Sequence, residues 1–300
     1  MRLLLVLICP LAFGTEQELG ERLFFDKQLS IDGTLSCATC HIPEKAFTDT
    51  RQPTSTGIDG TPLLRNTPTL LNVADRAVLF HDGRESNLDT QAITPLLNKQ
   101  EMANPNPATL ITRISDDYQS AFAAINLELS IENIARTLAT YERTLTAKDT
   151  AYDRWRNNQQ PLSRSATIGF GLFNRHGCAE CHLTSNAQFT DDLFHNTGVP
   201  DRNDPGRFAV TKDPNDRYRF RTPTLRNIAL TPPYMHDGSI PTLRGVIEFY
   251  MKGRSNNTSI DQRILPFTLT EEEIESLISF LNSLTSKMQE SMLDQNTATR

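Results

Sequence analysis

Past its first thirteen residues, this 300-residue chain has no long apolar run, so nothing in its body is expected to span a bilayer. Strictly alternating apolar and polar stretches are scarce, which argues against a β sandwich or barrel. Cysteine is sparse and odd in number, five in all, which is not the signature of a disulfide framework. There is no excess of positive charge: the formal net charge is −6, which argues against a nucleic-acid partner. The single tryptophan, Trp155, falls near the middle of the chain and reads as a core or interface residue. The hydrophobic content of 38% is ordinary, and the length suits two domains, each able to build its own core.

Four of the five cysteines are not scattered. Cys37-Ala38-Thr39-Cys40-His41 and Cys178-Ala179-Glu180-Cys181-His182 spell CxxCH twice, the attachment signature of c-type haem. Two thiols separated by two residues reach the two vinyl groups of one porphyrin, and the following imidazole faces its iron. Two covalent haem c groups are therefore expected, with His41 and His182 as proximal ligands. The rival reading, two CxxC redox or zinc sites, requires a chance histidine after each copy. The fifth cysteine, Cys9, lies in an apolar stretch from Leu3 to Phe13 that follows Arg2 and precedes the small residue Gly14. Residues 1–14 read as a short secretory signal, with a buried N-terminal element as the alternative. Cys9 follows Ile8 rather than a small residue, against a lipoprotein site. Export to the periplasm is the expectation, and c-type haem attachment belongs to that side of a membrane.

An internal duplication organises the rest. Thr67–Gly83 and Thr222–Gly238 align without gaps at nine identities in seventeen positions, one copy downstream of each CxxCH. Helix signals dominate between them. Ser130 precedes an apolar stripe of Ile131, Ile134, Leu138 and Leu145, and Ser163 can cap a helix leading into the second CxxCH. Thr270 and Glu273 form a capping box, with Leu269 and Ile274 as a hydrophobic staple. Thr242 can cap a helix bearing Leu243, Val246, Ile247, Tyr250 and Met251 on one face. The expected fold is mainly α: two cytochrome c-like haem domains over 15–150 and 151–288, long loops, little β, and a loose tail at 289–300.

The two CxxCH motifs, Tyr141-Glu142-Arg143-Thr144-Leu145, the run 220–227 and Pro233-Tyr234-Met235-His236-Asp237-Gly238 resemble the bacterial dihaem cytochrome c peroxidase family, including its MauG-like branch. The match extends over nearly the whole chain after the leader. It implies a peroxidatic N-terminal haem and an electron-transfer C-terminal haem. By the resemblance, Tyr250, fourteen residues beyond His236, is the distal ligand of the second haem; ordinary dihaem peroxidases carry Met there and the MauG-like branch Tyr. Periodicity alone makes it a core tyrosine. The position fourteen residues beyond His81 is Pro95, which cannot ligate iron, and the loop 42–68 holds no histidine, whereas ordinary members of the family block the resting first haem with one. An open first haem, ready without reductive activation, is implied.

The resemblance also makes Glu101 the catalytic carboxyl that moves a proton between peroxide oxygens, with Gln91 beside it; without it, Glu101 reads as a solvated loop residue. Asn66, through its side chain, and Thr231 and Pro233, through their carbonyls, match a calcium site between the haems; taken alone, Asn66 is a turn residue. His81 stands where the family carries an inter-haem tryptophan, and imidazole is a poorer one-electron relay than indole. Three functions are implied. The first is a periplasmic peroxidase of the cytochrome-c peroxidase type that reduces hydrogen peroxide with electrons from a small cytochrome c or cupredoxin. The second is a MauG-like oxidase acting through a high-valent dihaem state on residues of a partner protein. The third is a non-enzymatic electron carrier. Members of the family often form homodimers, although no motif here shows it.

Overall fold

A computed structural model describes residues 14–199, 203–253 and 259–287. The expected leader, Gly14 excepted, and the expected tail 289–300 lie outside the described residues. The architecture is mainly helical. Among the described residues the only sheet is a pair of two-residue antiparallel strands, Phe194–His195 and Phe220–Arg221, with Phe194 opposite Arg221. No helix among them is long and apolar enough to cross a membrane.

The helix starts follow local hydrogen-bonding rules. Ser130 accepts from the Asn133 amide ahead of helix Ile131–Glu142, Ser163 from Ala166 ahead of Arg164–Arg175, and Thr242 from Gly245 ahead of Leu243–Met251. Thr270 accepts from Glu273, whose carboxylate returns to the Thr270 amide before helix Glu271–Asn282. Several helices had no part in the sequence reading, the long Pro107–Ala124 behind its Asn106 cap among them. Another, Glu16–Phe25, opens on the same reciprocal box, between Thr15 and Glu18.

That first helix closes the N-terminal half. It crosses Ile131–Glu142 so closely that a Cβ on Gly20 would lie 2.1 Å from the Thr137 carbonyl oxygen. The C-terminal half repeats the device: a Cβ on Gly169, in Arg164–Arg175, would lie 2.0 Å from the Ser276 carbonyl oxygen in Glu271–Asn282. Only glycine permits backbones to touch in this way. Around the crossings sit two apolar cores, one containing Leu19, Leu23, Phe24 and Leu138, the other Tyr152, Phe173, Phe189 and Phe280. Each fully buried side chain such as Leu23 or Phe280 contributes roughly 1.5–3 kcal/mol.

The duplication holds in three dimensions. Asn72 and Asn227 both take left-handed backbone, at φ 55° and 58°, and each opens a short 3₁₀ turn. The Asn72 amide donates to the Leu145 carbonyl at 2.7 Å and its side-chain oxygen accepts from Ala147 at 2.8 Å. Asn227 binds Leu284 and Ser286 in the same two ways at 3.0 and 2.9 Å. A buried ion pair ties the halves together. Arg65 reaches Asp82 at 2.7 Å and Asp204 at 2.5 Å, with Asp204 wholly inaccessible.

Two stability predictions follow from these contacts. Gly20→Ala or Gly169→Ala is expected to destabilise the protein by about 2 kcal/mol or more, because the crossing must open, whereas Gly171→Ala, with open space at its Cβ, should be neutral or stabilising by up to about 1 kcal/mol; denaturant unfolding of the three variants checks this. Arg65 holds the Asp204 carboxyl below its ordinary range despite burial. A lowered carboxylate pKa stabilises above the unfolded value and loses that stability as pH falls through the folded one. Asp204→Asn should therefore cost about 3 kcal/mol at neutral pH, and the deficit against the parent should shrink in unfolding curves below about pH 4.

Candidate functional site

Each CxxCH motif is one closed turn. The His41 amide donates to the Cys37 carbonyl and the His182 amide to the Cys178 carbonyl, both at 2.9 Å. The two imidazoles are then oriented alike. His41 Nδ1 lies 3.1 Å from the Phe47 carbonyl oxygen and His182 Nδ1 2.9 Å from that of Phe189. A carbonyl can only accept, so Nδ1 carries the proton and Nε2 keeps the lone pair that a metal needs. Both acceptors are presented by left-handed residues, Phe47 at φ 54° and Phe189 at φ 52°. Burial depresses the basicity of both rings, His41 to a pKa of about 4, which keeps them neutral at physiological pH.

The thiols point away from redox or zinc chemistry. Burial pushes Cys178 and Cys181 up to about 11 and raises Cys37 and Cys40 as well, the reverse of the lowering that makes a reactive thiolate. All four are free of disulfides. Neutral sulfur in an apolar setting beside a neutral imidazole with Nε2 available suits a thioether-linked porphyrin.

Beside the first motif lies a cavity of about 400 Å³. Gln91, Pro95 and Glu101 line it together with Cys37, Cys40 and His41. The Glu101 segment is pinned by its backbone: Glu101 and Ala103 donate to the Asn98 carbonyl at 3.0 and 2.9 Å, and Met102 to that of Pro95 at 3.2 Å. Burial raises the Glu101 pKa against the opposing pull of the Arg84 charge and the Asn98 amide. The carboxyl is thus less acidic than a solvated one, as a group that moves protons requires.

The second motif has a different neighbour. Tyr250 sits close enough to Cys178 and Cys181 for both to bear on its titration, its hydroxyl bonded to Thr197 and its pKa pushed up to about 12 by burial. Of the apolar stripe on this helix, only Ile247 is fully buried; Leu243, Val246, Tyr250 and Met251 are half-buried.

Between the halves, His81 Nε2 donates to the Asn66 carbonyl at 2.9 Å. Burial first, then the Arg65, Arg221 and His236 charges, lowers its pKa to about 4, so the ring is neutral. Asn66 joins the copies: its amide donates to the His236 carbonyl at 2.7 Å, and its side-chain nitrogen to Pro53 at 2.8 Å. No donor among the described residues reaches Asn66 Oδ1 or the carbonyls of Thr231 and Pro233. Trp155 packs on Tyr152 and Phe170, at 5.5 and 5.3 Å between ring centroids, within the second core.

Sequence reasoning missed two buried charges, Glu142 and Arg221, two half-buried ones, Arg65 and Arg76, and the buried His195. Arg65 and Arg76 line the first cavity, and so does Glu142. Arg221 donates from Nε to the Phe80 carbonyl at 3.3 Å across the halves. His195 is held between Asp191 and Asp261 at 3.0 and 2.8 Å, close to Cys181. Comparing the copies would have flagged several: in register, Arg76 faces Thr231, and two places upstream Arg65 faces Phe220 and Asn66 faces Arg221.

Comparison with known proteins agrees with this geometry. A family model described as di-haem cytochrome c peroxidase matches residues 15–161, and one described as cytochrome c matches residues 166–285. The chain is 36% identical over 278 residues to the methylamine utilization protein MauG of Methylorubrum extorquens, covering 89% of this chain and 77% of that one. It is 34% identical over 284 residues to the cytochrome c551 peroxidase of Pseudomonas aeruginosa, covering 91% and 79%. A crystal structure of a MauG-like protein associated with microbial copper homeostasis superimposes with a TM-score of 0.83 at 31% identity, over 93% of this chain and 91% of that one. With two cytochrome c-like halves, two CxxCH turns and relatives of this extent, the chain belongs to the di-haem cytochrome c peroxidase family, an oxidoreductase family that carries two haem c groups.

Proposed function

We propose that this protein is a periplasmic dihaem peroxidase that reduces hydrogen peroxide to water in the N-terminal cavity, with electrons delivered through the C-terminal half. The observation that carries the reading is the asymmetry of the duplicated scaffold. A desolvated carboxyl and an amide share the first cavity with Cys37, Cys40 and His41, whereas a phenol stands against the second cysteine pair. In this reading each cysteine pair holds one haem by thioethers, His41 and His182 ligate through Nε2, and Tyr250 closes the second site. Pro95, having no ligating group, leaves the first site accessible. When bound, the haem supplies the iron through which electrons reach peroxide.

The protein groups manage the protons. Glu101 as carboxylate takes the proton from the near oxygen of entering peroxide and returns it to the far oxygen, so that the O–O bond breaks with water as the leaving group. Gln91 holds the peroxide in line through its amide. Two electrons from a small cytochrome c or cupredoxin and two protons from solvent complete the conversion to two waters. Asn66 Oδ1 and the carbonyls of Thr231 and Pro233, neutral oxygens with no donor assigned to them, suit one calcium ion between the halves.

A second reading has its own support. Tyr250, the histidine-free loop 42–68 and the 36% identity to MauG favour oxidation of a partner protein's residues. Against it stands His81, a neutral imidazole bonded to Asn66 where the family carries an indole. Turnover of peroxide with reduced cytochrome c separates the two.

Glu101→Gln should retain both haems yet slow the reaction with peroxide by about 100-fold or more in stopped-flow mixing. In the parent, the acid limb of that rate should lie above the ordinary glutamate range near pH 4.3, since the carboxylate is the active form and its pKa is raised; the variant should lack the limb. An unchanged rate would remove Glu101 from the chemistry. Resting-state electron paramagnetic resonance should give one high-spin and one low-spin ferric signal, with cyanide converting only the first. Tyr250→Phe should turn the second signal high-spin, and two saturated centres indifferent to cyanide would reduce the protein to an electron carrier.

A further inference from the structure

Matching contacts in the two halves pair residues well beyond the aligned segment. The Gly20 and Gly169 crossings pair Thr137 with Ser276 and Tyr141 with Phe280. The Asn72 and Asn227 anchors pair Leu145 with Leu284 and Ala147 with Ser286. All four pairs share one offset, and the same offset sets Glu142 against Leu281. Leu281 is an ordinary core residue at 8% exposure. Glu142 is more buried still, at 5%, and it borders the first cavity. Its carboxyl makes no hydrogen bond or ion pair among the described residues, and its oxygens are not sealed in the core but border the cavity.

A carboxylate held in a largely desolvated cavity wall without a partner is costly, and such a group escapes by binding a proton. Burial raises Glu142 to about 7 against the pull of Arg143 and Arg76, so at neutral pH it stands near the midpoint of its own titration. The charged groups around it are few. Arg143, next along the helix, is engaged by Asp89 at 2.8 Å. Arg76, which also lines the cavity, has a buried Nε with no partner and donates its terminal nitrogen to the Thr69 and Leu71 carbonyls. Cys37 lies near enough to feel both Glu142 and Glu101, and Tyr141 feels Glu142 and Glu21.

We infer that Glu142 is a proton-holding positioning residue that makes electron uptake at the first haem proton-coupled: for each electron the haem gains from its protein donor, the Glu142 carboxylate binds one solvent proton as an O–H bond, and on reoxidation it releases that proton. The charge enclosed in the cavity then stays constant through the cycle, which a low-dielectric site favours. The electron-transfer half, with Leu281 in place, has no such group. The inference rests on the reading that a haem occupies the Cys37–His41 cavity, and it does not require peroxide to be the substrate.

The test is redox titration of the loaded, full-length protein at a series of pH values on either side of neutrality, each haem followed by its own absorption bands. The first haem's reduction equilibrium should fall tenfold per pH unit around neutrality, which is 59 mV for one electron, and Glu142→Gln should abolish that slope while leaving the second haem's midpoint unmoved. Redox-difference infrared spectra should show a protonated carboxyl band arising on reduction in the parent and missing in Glu142→Gln. Should that variant lose haem, Glu142→Leu, which installs the residue of the other half, serves in its place. The parent alone also tests the idea, because the absence of both the slope and the carboxyl band there overturns it. An equal slope in parent and variant does the same. A slope in a parent that fails to reduce peroxide supports the inference and overturns the peroxidase reading, while peroxide turnover without a slope does the reverse.

Discussion

The hydrogen bond from a histidine Nδ1 to a backbone carbonyl, made once in each half, is the contact on which the remaining chemistry depends. It selects the tautomer and turns Nε2 outward, while burial keeps the ring neutral. Its acceptors are not free to move. Phe47 and Phe189 present their carbonyls from left-handed backbone, and the next hydroxyls, Thr48 and Thr190, donate to the carbonyls of Thr67 and Thr222. Those threonines open the two duplicated segments, so the proximal bond and the repeat form one rigid unit in each copy.

From that unit outward, the halves are built alike and charged differently. Glycine crossings, asparagine anchors and left-handed turns recur in register. The buried charges do not. Arg65, Arg76, Asp204 and Glu142 gather at the first cavity or between the halves, while the second core is ringed by aromatics, with Tyr152, Phe170, Phe173 and Phe189 all within 6.3 Å of Phe280 between centroids. A polar, hydrogen-bonding cavity suits a place where protons and substrate enter. The second half keeps its buried charges paired, Arg226 with Asp153 and His195 with Asp191 and Asp261, which on the proposed reading suits a site that only passes electrons. The duplication supplies geometry twice, and the departures from it assign the work.

The inter-half clamp belongs to the same logic. A half-buried arginine shared by two buried aspartates adds little net stability, but removing one partner strands a charge and is costly. Arg65 borders the first cavity, and Asp204 comes from the segment preceding the Phe220–Arg221 strand. The contact therefore holds the wall of one site to the loop structure of the other half.

Much of this was legible from residues alone, and each legible feature was local. CxxCH is a five-residue signal, the capping residues Ser130, Ser163, Thr242 and Thr270 act within three positions, and the repeat of Thr67–Gly83 is visible by alignment. The helices Glu16–Phe25 and Pro107–Ala124 were not predicted, although the Thr15–Glu18 box and the Asn106 cap ahead of Pro107 are equally local signals. What the amino-acid order could not settle was long-range. That Gly20 meets Thr137, that Arg65 finds Asp204, that His195 lies between Asp191 and Asp261, and that Glu142 is stranded without a partner all depend on segments brought together from distant parts of the chain. Sequence determines which groups exist and how each turn begins; burial, which decides whether a carboxyl is a solvated surface charge or a proton store, is a property of the packed molecule and is set only when the chain closes on itself.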